Sequence, residues 1–151
     1  MRAFFLVPHI GAGIAGLLLG PGALRAAMHG RRDTISTRAY RAAVTVLTAT
    51  TAGLVALQPG ALWPFLLLAL GTQAAVVAAR HAGPAARPVR LVGGSYISLV
   101  PALLVVSWGS IAAWILPTVI GTLLVERAAG ATARRPPART PSRSPTPSSR
   151  R

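Results

Sequence analysis

The chain has 151 residues, 16 basic residues (all arginine) against two carboxylates, no cysteine, and a formal charge of +14. Charge is absent from three long blocks: 22 residues between Arg2 and Arg25, 38 between Arg41 and Arg80, and 35 between Arg90 and Glu126. A soluble helical domain interrupts its apolar stripe with charge every turn or so, so a soluble globular enzyme is excluded; the missing cysteine also excludes a disulfide framework, a thiol nucleophile and an Fe–S cluster.

A membrane span needs roughly 20 apolar residues, so the three blocks divide into one, two and two helices. The spacing predicts spans over about 4–24, 40–57, 61–79, 90–106 and 110–126. The first block reads as a retained helix rather than a cleaved signal peptide. Pro8-His9 interrupts its apolar run, and it is long for a signal-peptide core. Within it, Gly11-Ala12-Gly13-Ile14-Ala15-Gly16 matches GxGxxG, with Asp33 downstream. A dinucleotide site would need a strand before the glycines, which an apolar span does not supply. Gly16 and Gly20, at GxxxG spacing, instead read as a helix-packing face.

The second and third helices meet at Gln58-Pro59-Gly60, a turn tripeptide. Thr45 and Gln73 are each 14 residues from Pro59, so they share a depth in adjacent antiparallel helices. An unpaired amide in hydrocarbon is costly, so Gln73 is expected to bond to Thr45, to Thr48 one turn away, or to a carbonyl of the second helix. The last two helices meet at Ser107-Trp108-Gly109-Ser110. Pro101 and Pro117 flank that turn at similar distances and are expected to kink their helices at one depth. Residues 128–151 are rich in Pro, Ser, Thr, Ala and Arg and read as a disordered basic tail. Its Thr140-Pro141, Ser144-Pro145 and Thr146-Pro147 pairs are weak modification candidates.

Arginine sets the threading, because basic residues accumulate in cytoplasmic segments. Five lie in 25–41, three in 80–90 and seven from 127 onward, but none in either turn. Only five spans, with the amino terminus outside and the carboxyl terminus inside, put all three segments on one face. Trp63, Trp108 and Trp114 then fall toward the outer interface and Tyr40 at the inner one. The fold expected is all-α: a polytopic five-helix bundle of the bacterial inner membrane. Its partners are the bilayer, anionic lipid headgroups at the arginine-rich loops and tail, and other subunits through small-residue helix faces, with no nucleic acid.

Candidate chemistry is sparse. No carboxylate lies inside a span, and Glu126 beside Arg127 reads as an interfacial pair or a topological marker. His9 lies far from the other histidines, while His29 and His81 share the arginine-rich face and are the only candidate haem pair. The plainer reading of these histidines is solvation at the interface.

Gly93-Gly94-Ser95-Tyr96-Ile97 followed by Trp114-Ile115-Leu116-Pro117-Thr118-Val119-Ile120-Gly121 resembles a family of small bacterial membrane proteins of unknown function. In that family a histidine usually precedes the Gly-Gly-Ser-Tyr run and a His-Arg pair precedes the second helix. Here Pro88 and Asp33 stand at those places, although Arg38-Ala39-Tyr40 keeps the later part of the second motif. The resemblance implies a membrane protein and supplies no reaction, and a cofactor held by those histidines is not expected here. The sequence thus points first to a non-enzymatic accessory or scaffold subunit without cofactor. A small permease or channel using Gln73, Pro101 and Pro117 is the alternative, and a haem- or quinone-linked redox protein the second.

Overall fold

A computed structural model describes residues 2–31, 33–83, 86–108 and 112–134. It contains five helices: α1 (Arg2–Met28), α2 (Ile35–Leu57), α3 (Pro59–His81), α4 (Ala86–Trp108) and α5 (Ala112–Ala133). Among the described residues, four of them carry stretches long and apolar enough to cross a membrane: α1, α2, Leu62–His81 of α3 and Ile115–Ala133 of α5. Part of the expected turn at 107–110 and most of the expected tail, from 135 onward, lie outside the described residues.

The helix ends follow local chemistry. Gly30 has φ of 69°, where a side chain would be strained, and closes α1. Its N–H donates to the Ala27 carbonyl at 3.0 Å and that of Arg31 to Ala26 at 2.9 Å, a Schellman pairing. Thr34 caps α2 by accepting from the Thr37 N–H at 3.2 Å. Between α2 and α3 only Gln58 is non-helical. Pro59 opens α3 at a position where its missing N–H costs nothing. The expected three-residue turn is therefore a one-residue break.

The helices also outrun the charge-free blocks. α2 starts at Ile35 rather than 40 and α4 at Ala86 rather than 90, while α5 runs through Glu126 and Arg127 to Ala133. The disorder expected from residue 128 is thus corrected for 128–133, where Ala129 is fully buried and Thr132 nearly so. Charge marks where apolar surroundings end; it does not end a helix whose backbone bonds are satisfied internally. Helical structure is also continuous through Pro101 and Pro117.

α1, α2, α3 and α4 form a ring in which each helix packs on the next and α4 closes on α1, while α5 lies outside against α4. Among the described residues the diagonal pairs, α1 with α3 and α2 with α4, make no backbone contact. Small residues draw the neighbours together: a side chain at Gly20 would overlap the Tyr96 ring, and one at Gly16 would sit 3.2 Å from Leu99. The GxxxG face therefore packs α1 on α4. The ring interior is filled at its arginine-rich end by Ala23, Ala27, Tyr40, Val44, Val76, Ala79, Val89 and Val92.

Candidate functional site

Polar side chains inside the helices bond either to a carbonyl one turn back on their own helix, as Thr51, Thr72 and Ser98 do, or to a side chain of a neighbouring helix. The Gln73 amide donates from Nε2 to Thr45 Oγ1 at 3.1 Å, joining α3 to α2. The Thr45 hydroxyl donates to its own helix at Arg41 O, 2.9 Å away, so it accepts from Gln73 without losing its donor. Thr48 makes a separate contact across the hairpin, donating to the Ala69 carbonyl at 3.3 Å. Near the other end, His9 Nδ1 lies 3.1 Å from Thr50 Oγ1. Thr50 directs its hydroxyl hydrogen to Val46 O at 2.8 Å or Leu47 O at 2.9 Å, so Nδ1 carries the proton shared with Thr50.

A further bond spans the ring. Tyr40 of α2 reaches across the diagonal to Ser95 of α4, oxygen to oxygen at 2.9 Å, each residue only 1% exposed. Ser95 donates to Val92 O at 2.8 Å, which leaves the Tyr40 hydroxyl as the donor in the pair.

Ion pairs sit at the arginine-rich end. Asp33 receives Arg38 through Nε at 2.8 Å and Nη2 at 2.6 Å, and Arg41 through Nη2 at 3.3 Å. The Arg38 hydrogen bonds, more than any other influence, hold the Asp33 carboxyl down at about 2. Glu126 pairs with Arg90 of α4, Nη2 to Oε2 at 2.8 Å and Nε to Oε1 at 3.0 Å, rather than with adjacent Arg127. Successive helix residues point about 100° apart, so Arg127 is turned away while Arg90 faces Glu126 across the hairpin. At the opposite end Arg2 Nη2 donates to Gln58 Oε1 at 3.0 Å, tying α1 to the α2–α3 break.

Beside the Gln73–Thr45 bond, a groove of about 460 Å³ opens between α2 and α3. Arg38, Arg41 and Arg80 line it with Asp33, and Ala42, Val76 and Val77 form its apolar wall. Arg41, Val76 and Arg80 also border a cavity of about 20 Å³ inside the ring, bounded by Tyr40, Ala79 and Arg31. Among the described residues Arg31 and Arg80 have no ionic partner, since Asp33 and Glu126 are the only side-chain carboxylates of the chain.

The other sequence candidates are not gathered into a site. His29 turns back on the Arg25 carbonyl at 2.8 Å, and His81 ends α3. No cluster of three metal-ligating side chains occurs among the described residues. Pro117 lies within α5, and the side chains of Pro101, Trp108 and Trp114 lie outside the described residues. No family model, curated protein or solved structure matches the chain.

The residues that sequence reasoning missed are Ser95, Arg90 and Thr50, as partners of Tyr40, Glu126 and His9. The depth count that pairs Thr45 with Gln73 also pairs Arg90 with Glu126, which lie about equally far from the 107–110 turn. Nothing in the one-dimensional pattern brings Tyr40 to Ser95, because that bond crosses a diagonal set by the closure of the ring.

Proposed function

We propose that this chain is a non-enzymatic accessory or scaffold subunit of the bacterial inner membrane. In this reading it crosses five times, with the amino terminus outside and the arginine-rich end of the bundle in the cytoplasm. The carrying observation is that Gln73, the most polar uncharged side chain of the central hairpin, is engaged by Thr45. A cavity of about 20 Å³ lies inside the ring, bounded by Tyr40, Val76 and Ala79, and Gln73 does not line it. A permease needs polar groups free for a solute along a continuous path; here they hold helices together. α5 supports the reading from outside. It packs mainly on α4 and carries an exposed apolar face that includes Leu116, Val119 and Leu123.

Photo-crosslinking in native membranes from positions 116, 119 and 123 tests this. The expected result is a discrete protein adduct, either a second copy of the chain or another subunit. Adducts with lipid alone would overturn the scaffold role. Solute flux through proteoliposomes containing the pure protein would establish the permease instead, and a Soret band retained through purification would establish the haem alternative. Neither signal is expected.

A further inference from the structure

We propose that the groove between α2 and α3 is a binding site for one anionic phospholipid, with its phosphate held between Arg41 and Arg80. This rests on the membrane reading above and sharpens a general attraction to anionic headgroups into one site.

Three guanidiniums line the groove against one carboxylate, so it carries an excess of two positive charges. Asp33 is occupied by Arg38 and, at longer range, by Arg41, while Arg80 has no ionic partner among the described residues. Arg41 is held near the groove with its side chain only 20% exposed, whereas Arg38 extends outward at 66%. Arg41 is partly buried and shares Asp33 with Arg38, Arg80 is exposed beside it, and the other carboxylate, Glu126, is engaged on α5 by Arg90. Among the described residues no carboxylate is left to offset Arg80, so an anion from outside would complete the charge balance of the groove.

The shape selects the source. The groove is partly open, and both of its helices carry exposed apolar side chains. Below the arginines the wall is Ala42 and Val77, and farther along the same hairpin Val46 and Leu70 are about half exposed, which makes a track for an acyl chain. One turn beyond Ala42 and Val77, and just before Val46 and Leu70, lie Thr45 and Gln73, within reach of a glycerol ester. Gln73 uses one Nε2 hydrogen on Thr45 and keeps the other for a carbonyl. A free phosphate would satisfy the arginines but leave the apolar track uncovered. A zwitterionic lipid would bring a positive group into a site already in positive excess. Basic pockets between spans on the cytoplasmic side take anionic headgroups for these reasons.

The test uses the full-length chain in dodecyl maltoside. Apparent dissociation constants for phosphatidylglycerol and for phosphatidylcholine with matched acyl chains are read by native mass spectrometry. Arg80→Gln is compared with Arg87→Gln, which removes an equal charge from an exposed position outside the groove. The proposal expects one phosphatidylglycerol to be retained in preference to phosphatidylcholine. Arg80→Gln should weaken it about fivefold, the factor corresponding to one interfacial arginine, with Arg87→Gln near wild type. Since Arg80 makes no ion pair, its loss leaves the fold's own bonds in place. Equal weakening by both variants, or equal retention of both lipids, would overturn the site in favour of diffuse attraction. Displacement of the lipid by inorganic phosphate at comparable concentration would overturn the lipid as ligand. Extraction of the chain from membranes by alkaline carbonate is a separate outcome, which would defeat the membrane reading itself.

Discussion

Removing the Ser95 hydroxyl should cost more than removing the Tyr40 hydroxyl, although both changes delete the same hydrogen bond. Tyr40 donates to Ser95, and Ser95 donates to Val92 O. In Tyr40→Phe the serine keeps its own bond and loses only an incoming donor, so the loss is that of an ordinary hydrogen bond, about 0.5–1.5 kcal/mol. In Ser95→Ala a phenolic donor 1% exposed is left without its acceptor. The penalty for such a group is about 1–3 kcal/mol. The neighbouring cavity of about 20 Å³ has room for one water, which should place the value toward the lower end of that range. Equilibrium unfolding in mixed dodecyl maltoside and dodecyl sulfate micelles, followed by tryptophan fluorescence, measures both variants and the double mutant. The two changes should couple by about 0.6 kcal/mol, and the double mutant should cost less than the sum of the singles. Tyr40→Phe as costly as Ser95→Ala, or strict additivity, would refute the assigned donor direction and the bond across the ring.

The same unfolding assay should give opposite signs for two glycines. Gly20→Ala places a methyl against the Tyr96 ring and should destabilise by about 1–3 kcal/mol, less about 1 kcal/mol regained in helix propensity. Gly94→Ala meets nothing within 4 Å and should stabilise by up to about 1 kcal/mol. Gln73→Leu and Thr45→Val should show a coupling of about 0.6 kcal/mol in a double-mutant cycle, and none would dismiss the hairpin bond. Asp33 should titrate at about 2 when its carboxyl carbon is followed by NMR. Because its folded value is depressed, its contribution to stability is present above the ordinary aspartate range and disappears as pH falls through about 2. Arg38→Ala should return the titration toward the ordinary value, since the Arg38 hydrogen bonds are the chief cause of the shift.

Much of the helical plan is legible in the sequence, because excluding charge from long blocks is a strong one-dimensional signal. The structure has five helices, one overlapping each expected span, and Gln73 meets Thr45 because equal distance from a turn fixes equal depth. Helix ends are less legible. The blocks report the extent of apolar surroundings, whereas the ends at Gly30, Thr34 and Ala133 depend on caps and on small residues such as Ala129 finding a surface to pack on. Lateral closure is not legible at all: that α4 completes a ring with α1 and leaves α5 outside emerges from shape, as where Gly20 admits Tyr96. The Arg41–Arg80 groove lies within the α2–α3 hairpin, where depth from the Gln58 break brings the two arginines near one level but does not fix the helix faces they take. Sequence reasoning counts those arginines as markers of the threading and as a general attraction for anionic headgroups, without bringing two of them to one groove.

Threading is the central claim, and cysteine accessibility tests it most directly, since the chain has no cysteine of its own. Single variants Gly60→Cys, His29→Cys and Ser149→Cys are exposed in intact cells to a membrane-impermeant maleimide, then again after permeabilisation. Five spans with the amino terminus outside predict labelling at 60 in intact cells, and labelling at 29 and 149 only once the membrane is opened. Labelling at 149 in intact cells would contradict the five-span account.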